Sequence, residues 1–94
     1  MKMSLVVGFE EKHLVEFSFD EFWGGIKITV DGVKVMGTVQ ILSFSTMKAW
    51  EITVGTNEQH HVRFEKRRAQ FFAAFKPQPV RVYVDGIFIM EAFE

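Results

Sequence analysis

Glu11 and His13 stand two residues apart, and Glu58 and His60 repeat the arrangement, with His61 adjoining the second pair. In extended chain, residues two apart share a face, so each carboxylate points the same way as its imidazole. Two chemistries use such a couple. If both couples converge, His13, His60 and His61 offer imidazoles and Glu11 and Glu58 offer carboxylates, a donor set suited to a transition metal. Alternatively, Glu and His hydrogen-bond the backbone of a turn and each other, a task that recurs because the turn recurs. The second reading demands less, since a metal requires imidazoles from separate turns to meet within coordination distance. Surface pairing of Glu11 with His13 and of Glu58 with His60 is therefore the expectation, with a metal or small-ligand module as the alternative.

Little else in the chain suits catalysis. There is no Cys, which removes thiolate nucleophiles, disulfides and cysteine zinc sites together. Ser4, Ser18, Ser43 and Ser45 lack a nucleophile-elbow context. Gly24-Gly25 lacks the helix and Lys that a phosphate loop uses. The acidic neighbours Glu10-Glu11 and Asp20-Glu21 point apart in strand or turn geometry. The expectation is a protein that is not an enzyme and needs no cofactor.

A basic stretch is the other chemical feature. Arg63, Lys66, Arg67, Arg68, Lys76 and Arg81 make up six of the eleven basic residues, and Phe71, Phe72 and Phe75 lie among them. Cations beside rings suit single-stranded nucleic acid. A net charge of −1 gives that reading no support, nor does it favour a membrane surface. Three wet Phe side chains each forgo about 1.5–3 kcal/mol of burial. Phe71, Phe72 and Phe75 are expected to close one open end of the fold or to meet a protein partner. Phe22 and Trp23, before Gly24-Gly25, are expected to plug another.

The elements that position these groups follow from an internal repeat. Val7-Gly8-Phe9-Glu10-Glu11-Lys12-His13-Leu14-Val15-Glu16-Phe17 returns as Val54-Gly55-Thr56-Asn57-Glu58-Gln59-His60-His61-Val62-Arg63-Phe64, a shift of 47 from His13 to His60. Val, Gly, Glu, His, Val and Phe recur in step. Val30-Asp31-Gly32 then returns as Val84-Asp85-Gly86. Two copies are too few for a solenoid, so one domain, 1–94, is expected from two related halves at about 4–36 and 51–90.

Around the repeat the chain alternates with the period of a half-buried strand. Val15, Phe17 and Phe19 face one way, and Trp50, Ile52 and Val54 repeat the pattern. Asp31-Gly32 and Asp85-Gly86 are two-residue hairpin turns whose central residues take positive φ. Ile28, Val30, Val33 and Val35 then form one apolar surface, as do Val82, Val84, Ile87 and Ile89, with Tyr83, Phe88 and Met90 on the opposite side. Gly37 is expected to bend a strand that resumes from Thr38 to Phe44, and Ser43 to Lys48 to turn. Lys66 to Phe75 has length for a short helix before Pro77 and Pro79 stop it, with an irregular loop equally open. The fold class expected is all-β: an antiparallel β-sandwich of eight or nine strands from two four-stranded halves, with at most one short helix near 66–75.

His13-Leu14-Val15-Glu16-Phe17, a Gly-containing connection, Val30-Asp31-Gly32, an aromatic strand ending Val54-Gly55, and Val82-Tyr83-Val84-Asp85-Gly86 follow one another in an order that resembles one domain of the Fas apoptotic inhibitory molecule (FAIM) family. The resemblance spans roughly His13 to Met90. It implies an eight-stranded antiparallel sandwich and a non-enzymatic interaction role, and carries over no catalytic residue.

A terminal hairpin apolar on both sides marks an association site. The partner expected is a protein, first of all a second copy, meeting Tyr83, Phe88 and Met90 together with Phe71, Phe72 and Phe75. No apolar run reaches the ~18 residues of a membrane span. The compartment expected is the cytoplasm.

Overall fold

The structure, a computed structural model, describes residues 1–20, 25–67 and 79–93. Among these residues there are nine strands: β1 Lys2–Val7, β2 His13–Phe19, β3 Ile26–Val30, β4 Val33–Lys34, β5 Gln40–Ser43, β6 Met47–Val54, β7 His60–Arg67, β8 Val80–Val84 and β9 Ile87–Ala92. A 3-10 turn, Met36–Thr38, joins β4 to β5. Two antiparallel sheets result, in the orders β1-β2-β3-β4 and β5-β6-β7-β8-β9. The all-β sandwich is thus the fold.

Each sheet is one copy of the repeat. Val7 pairs with His13 across β1 and β2 as Val54 pairs with His60 across β6 and β7. Val15 and Phe17 pair with Val30 and Ile28 as Val62 and Phe64 pair with Val84 and Val82. The two sheets bury equivalent residues against each other: Val15, Phe17, Val62 and Phe64 are all fully enclosed. At the centre the Phe17 and Phe64 rings stack with centroids 4.7 Å apart and planes within 19°, and Trp50 tilts against Phe17 at 5.4 Å. Ile28, Ile52, Val80 and Val82 complete the middle of the core. β-branched and aromatic side chains fill such a pleated interior well.

Both hairpin turns adopt the expected geometry, with φ of 52° and 81° at Asp31 and Gly32 and of 52° and 80° at Asp85 and Gly86. The apolar surface behind them is less continuous than alternation suggests. Val33 and Ile87 are each 66% exposed, because they sit at hairpin tips beyond the facing sheet. A further departure lies in β9. Tyr83 pairs with Phe88 but Val82 with Met90, so a β-bulge places Ile89 as an extra residue. Beyond a bulge the alternation inverts. Met90, expected on the outer side with Tyr83 and Phe88, therefore packs against the core, as does Ala92. Tyr83 and Phe88 remain outside in an edge-on ring contact at 5.8 Å.

The connection between the copies also departs from expectation. The strand expected from Thr38 to Phe44 is present as β5, but a 3-10 turn at Gly37 separates it from β4 in place of a bend within one strand. The Thr38 N–H and hydroxyl both donate to the Val35 carbonyl, closing the 3-10 turn. The chain then enters the other sheet as β5, which pairs with β6. β6 starts at Met47, inside the stretch expected to turn, where the Phe44 N–H donates to the Met47 carbonyl. Lys66 and Arg67, the start of the stretch left open between a short helix and an irregular loop, belong to β7. The rest of that expectation, with Phe71, Phe72 and Phe75, and the plug at Phe22 and Trp23 lie outside the described residues.

Candidate functional site

The turns β1–β2 and β6–β7 stand side by side at one end of the sandwich, and each is held by the other's glutamate. The Glu58 carboxylate accepts from the backbone N–H groups of Phe9 at 2.7 Å, Glu10 at 2.8 Å and Glu11 at 3.2 Å. Reciprocally, the Glu11 carboxylate accepts from Thr56 at 2.7 Å, Asn57 at 2.8 Å and Glu58 at 3.4 Å. Successive N–H groups converge this way only when the turn is tightly wound. Gly8 and Gly55 permit it at φ of 108° and 104°, in the left-handed region that side chains resist.

The histidines brace these glutamates. His13 Nε2 meets Glu11 Oε2 at 2.5 Å and its Nδ1 meets Asp31 Oδ2 at 2.6 Å. In the second copy His60 Nε2 meets Glu58 Oε2, and its Nδ1 meets Asp85 Oδ2 at 2.6 Å. The aspartates in turn fix the hairpins to the neighbouring strands. Asp31 accepts from the Leu14 N–H at 2.8 Å, and Asp85 from the His61 N–H at 2.9 Å. Two parallel chains of contact result, each running from hairpin aspartate through histidine and glutamate to the other copy's turn.

The electrostatics follow from that wiring. With a carboxylate on each ring nitrogen, an imidazole is most stable as the doubly protonated cation. Asp31 chiefly, then Glu11, raises the His13 pKa above its ordinary value, as Asp85 and then Glu58 do for His60. The same bonds lower the Asp31 and Asp85 pKa values. Glu11 and Glu58 fall to about 2, first through the histidine and next through the backbone amides they accept.

No protein-family model matches the chain, and neither curated proteins nor solved structures provide a match. The geometry must speak for itself. Glu11 pairs with His13 and Glu58 with His60, as the spacing predicts. The metal reading does not fit this donor set. Both nitrogens of His13 and of His60 already face carboxylates, leaving neither a lone pair for a cation. His61 belongs to another face, where its Nε2 lies 3.1 Å from Glu51 Oε2 and Arg63 Nη1 lies 2.8 Å from Glu51 Oε1. Among the described residues no group of three or more His, Cys, Asp or Glu side chains is arranged to hold a metal ion.

Sequence reasoning missed two things. Asp31 and Asp85 appear only as turn residues, although their recurrence with the Glu-x-His pairs is the available signal. That each glutamate serves the opposite copy has no sequence signature.

The terminal hairpin presents a different surface. Ile87, Phe88 and Ile89 are each half or more exposed, and Val6 and Phe9 add apolar surface beside them. Leu5, Phe9, Val84, Ile87 and Ile89 line a largely apolar groove of about 330 Å³ between β1 and the β8–β9 hairpin. The outer face of the same sheet is otherwise charged, with Arg63 bridging Glu51 and Glu65, and Arg81 Nε 3.1 Å from Glu91.

Proposed function

We propose that this chain is a non-enzymatic protein-interaction module that acts through its terminal hairpin and self-associates there. One observation carries the reading. The hairpin leaves Phe88 half exposed on its outer face, beside Tyr83, and exposed apolar surface of this kind marks a contact site. The inventory of reactive groups points the same way, because the carboxylates and imidazoles of the clasp are committed to backbone amides and to one another. Kinship with the FAIM family is part of the proposal. It rests on the order of the His13–Phe17, Val30–Gly32 and Val82–Gly86 stretches alone.

Tyr83 and Phe88, in edge-on contact on the outer face, are the contact pair proposed for a second copy. Light-scattering mass at micromolar concentration tests this. The wild type is expected to run above monomer mass and Phe88→Asp at monomer mass with an unchanged circular-dichroism spectrum. A wild-type monomer at those concentrations refutes self-association.

A further inference from the structure

The described residues form sheets of four and five strands, and among them the unequal count leaves one place in the sandwich without a strand. Phe17 of β2 lies on Phe64 of β7. Counted outward from that pair on one side, β3 and β4 have β6 and β5 as counterparts. On the other side β1 stands alone against β8 and β9. Among the described residues no strand pairs with the outer edge of β1, and none covers Ile87 and Ile89 across the groove.

That edge is ready to pair. The Met1 amino group donates to the Phe19 carbonyl at 2.9 Å and the Phe19 N–H donates to the Met1 carbonyl at 2.8 Å, a closely spaced pair. Antiparallel ladders alternate, so Met3, Leu5 and Val7 turn their backbone groups toward β2. Lys2, Ser4 and Val6 turn theirs toward the free edge. Unpaired edges of this kind are templates for a further strand.

The chain itself shows what fits. In the second copy the equivalent edge is occupied: β5 pairs with β6 through Gln40 opposite Glu51 and Leu42 opposite Ala49. The repeat shift carries Glu51 onto Ser4 and Ala49 onto Lys2, two of the three residues that face outward on β1. Val39, just before β5, packs on the core, and Ile41, opposite Trp50, lies on the same side of the chain but stays 53% exposed at the sheet's edge. A strand in the vacant place would set two such side chains over Leu5, Ile87 and Ile89.

We propose that the edge of β1 and the groove beneath it form a strand-accepting site, filled by a single extended peptide segment of a partner protein. The segment runs antiparallel to β1, as β5 runs to β6, and carries aliphatic side chains at alternate positions. Backbone hydrogen bonds to Lys2, Ser4 and Val6 supply the pairing, and the groove selects the alternate side chains. A second copy docking through its own β1 does not fit, because the β8 that faces its β1 would enter the space that β9 already occupies opposite the vacancy. The site lies on the groove side of the hairpin, away from Tyr83 and Phe88, and goes beyond the self-association proposed above.

The test is titration of the full chain with a synthetic peptide copying residues 38–45, followed by amide NMR and hydrogen exchange. Saturable binding is expected, with new protection at Lys2, Ser4 and Val6. A peptide carrying Val39→Asn and Ile41→Asn is expected to bind at least tenfold more weakly. Ile89→Asp in the protein is expected to weaken binding by a similar factor. Ser4→Pro deletes an outward N–H at an edge position that tolerates proline, and should abolish capture while the fold persists. Phe88→Asp should change the mass and leave capture intact, which separates the two surfaces. Absence of saturable binding, protection at Ala49 and Glu51 through exchange with the resident β5, or unweakened binding by Ser4→Pro would overturn the proposal.

Discussion

Replacing Gly8 or Gly55 by alanine tests whether the crossed turns hold the halves together. A Cβ on Gly8 would lie 2.0 Å from the Glu11 carbonyl oxygen and 3.2 Å from Glu58 Oε2. One on Gly55 would lie 2.0 Å from the Glu58 carbonyl oxygen and 3.0 Å from Glu11 Oε2. The obstacle in each case is backbone, which cannot swing aside, so the turn must open and release the amides that the other copy's glutamate holds. Gly32 and Gly86 provide the control. They also have positive φ, 81° and 80°, but nothing lies within 4 Å of an added Cβ. Their substitution costs the left-handed backbone penalty alone, about 1–2 kcal/mol. At Gly8 and Gly55 the backbone strain reaches the upper end of its usual range, about 3 kcal/mol, with the steric clash added to it. A domain of this size has roughly 5–14 kcal/mol of stability in all, so each single variant should be visibly weakened and the double variant unfolded. Urea denaturation gives the free energies, and imidazole NMR titration the reach. Gly8→Ala disturbs the turn that carries Glu11 and also receives Glu58, so both His13 and His60 should titrate lower. Equal losses for Gly8→Ala and Gly32→Ala, or an unmoved His60, would refute the reasoning.

The pH dependence of stability follows from the same groups. The raised His13 and His60 pKa values give stability that is complete below the unfolded value of 6.5 and is lost as pH rises through the folded values. The lowered Glu11 and Glu58 give stability present above 4.5 and lost as pH falls toward about 2, and Asp31 and Asp85 add loss below 3.8. Thermal melts should therefore show a maximum between pH 4.5 and 6.5, and a midpoint that climbs from pH 6 to 9 would contradict the clasp. At the core, Phe17→Ala and Phe64→Ala should each cost about 3–5 kcal/mol in urea denaturation. Because the rings stack on each other, the double variant should lose less than the two losses added together. In the terminal hairpin, Met90→Asp should lower the melting temperature sharply and Phe88→Asp should leave it nearly unchanged, with the reverse order disproving the bulge.

The elements were legible where a local rule has one outcome. Asp31-Gly32 and Asp85-Gly86 demand positive φ, and the strands around them alternate cleanly, so two hairpins and a sandwich follow. The repeat is legible because side chains facing a shared core must recur in step. Positions governed by contacts between distant strands were not legible. Met90 changes sides because one extra residue is accommodated opposite Val82, and Ile89-Met90 contains no glycine to announce it. β5 joins the second sheet because the 3-10 turn at Met36–Thr38 redirects it, and Gly37 alone does not distinguish a bend within a strand from a crossover. The glutamates were legible as turn residues, but which turn each serves depends on how the two sheets meet.

The reciprocal reach of Glu11 and Glu58 bears on why the halves stay together. A four-stranded antiparallel sheet with one apolar face is unstable in water by itself, and any second apolar sheet would cover it. Burial therefore supplies attraction without choosing a partner or an alignment. The crossed carboxylates supply the choice. Each turn has three N–H groups aimed where only the other copy's glutamate arrives, and a slip of one residue along the strands would misplace both glutamates and leave those amides without their carboxylates. The clasp thus fixes the strand-wise alignment that brings Phe17 onto Phe64. The remaining asymmetry then falls at the edges, where no such constraint acts. One edge carries β5, and at the other the backbone of Lys2, Ser4 and Val6 faces away from β2 with no strand against it among the described residues.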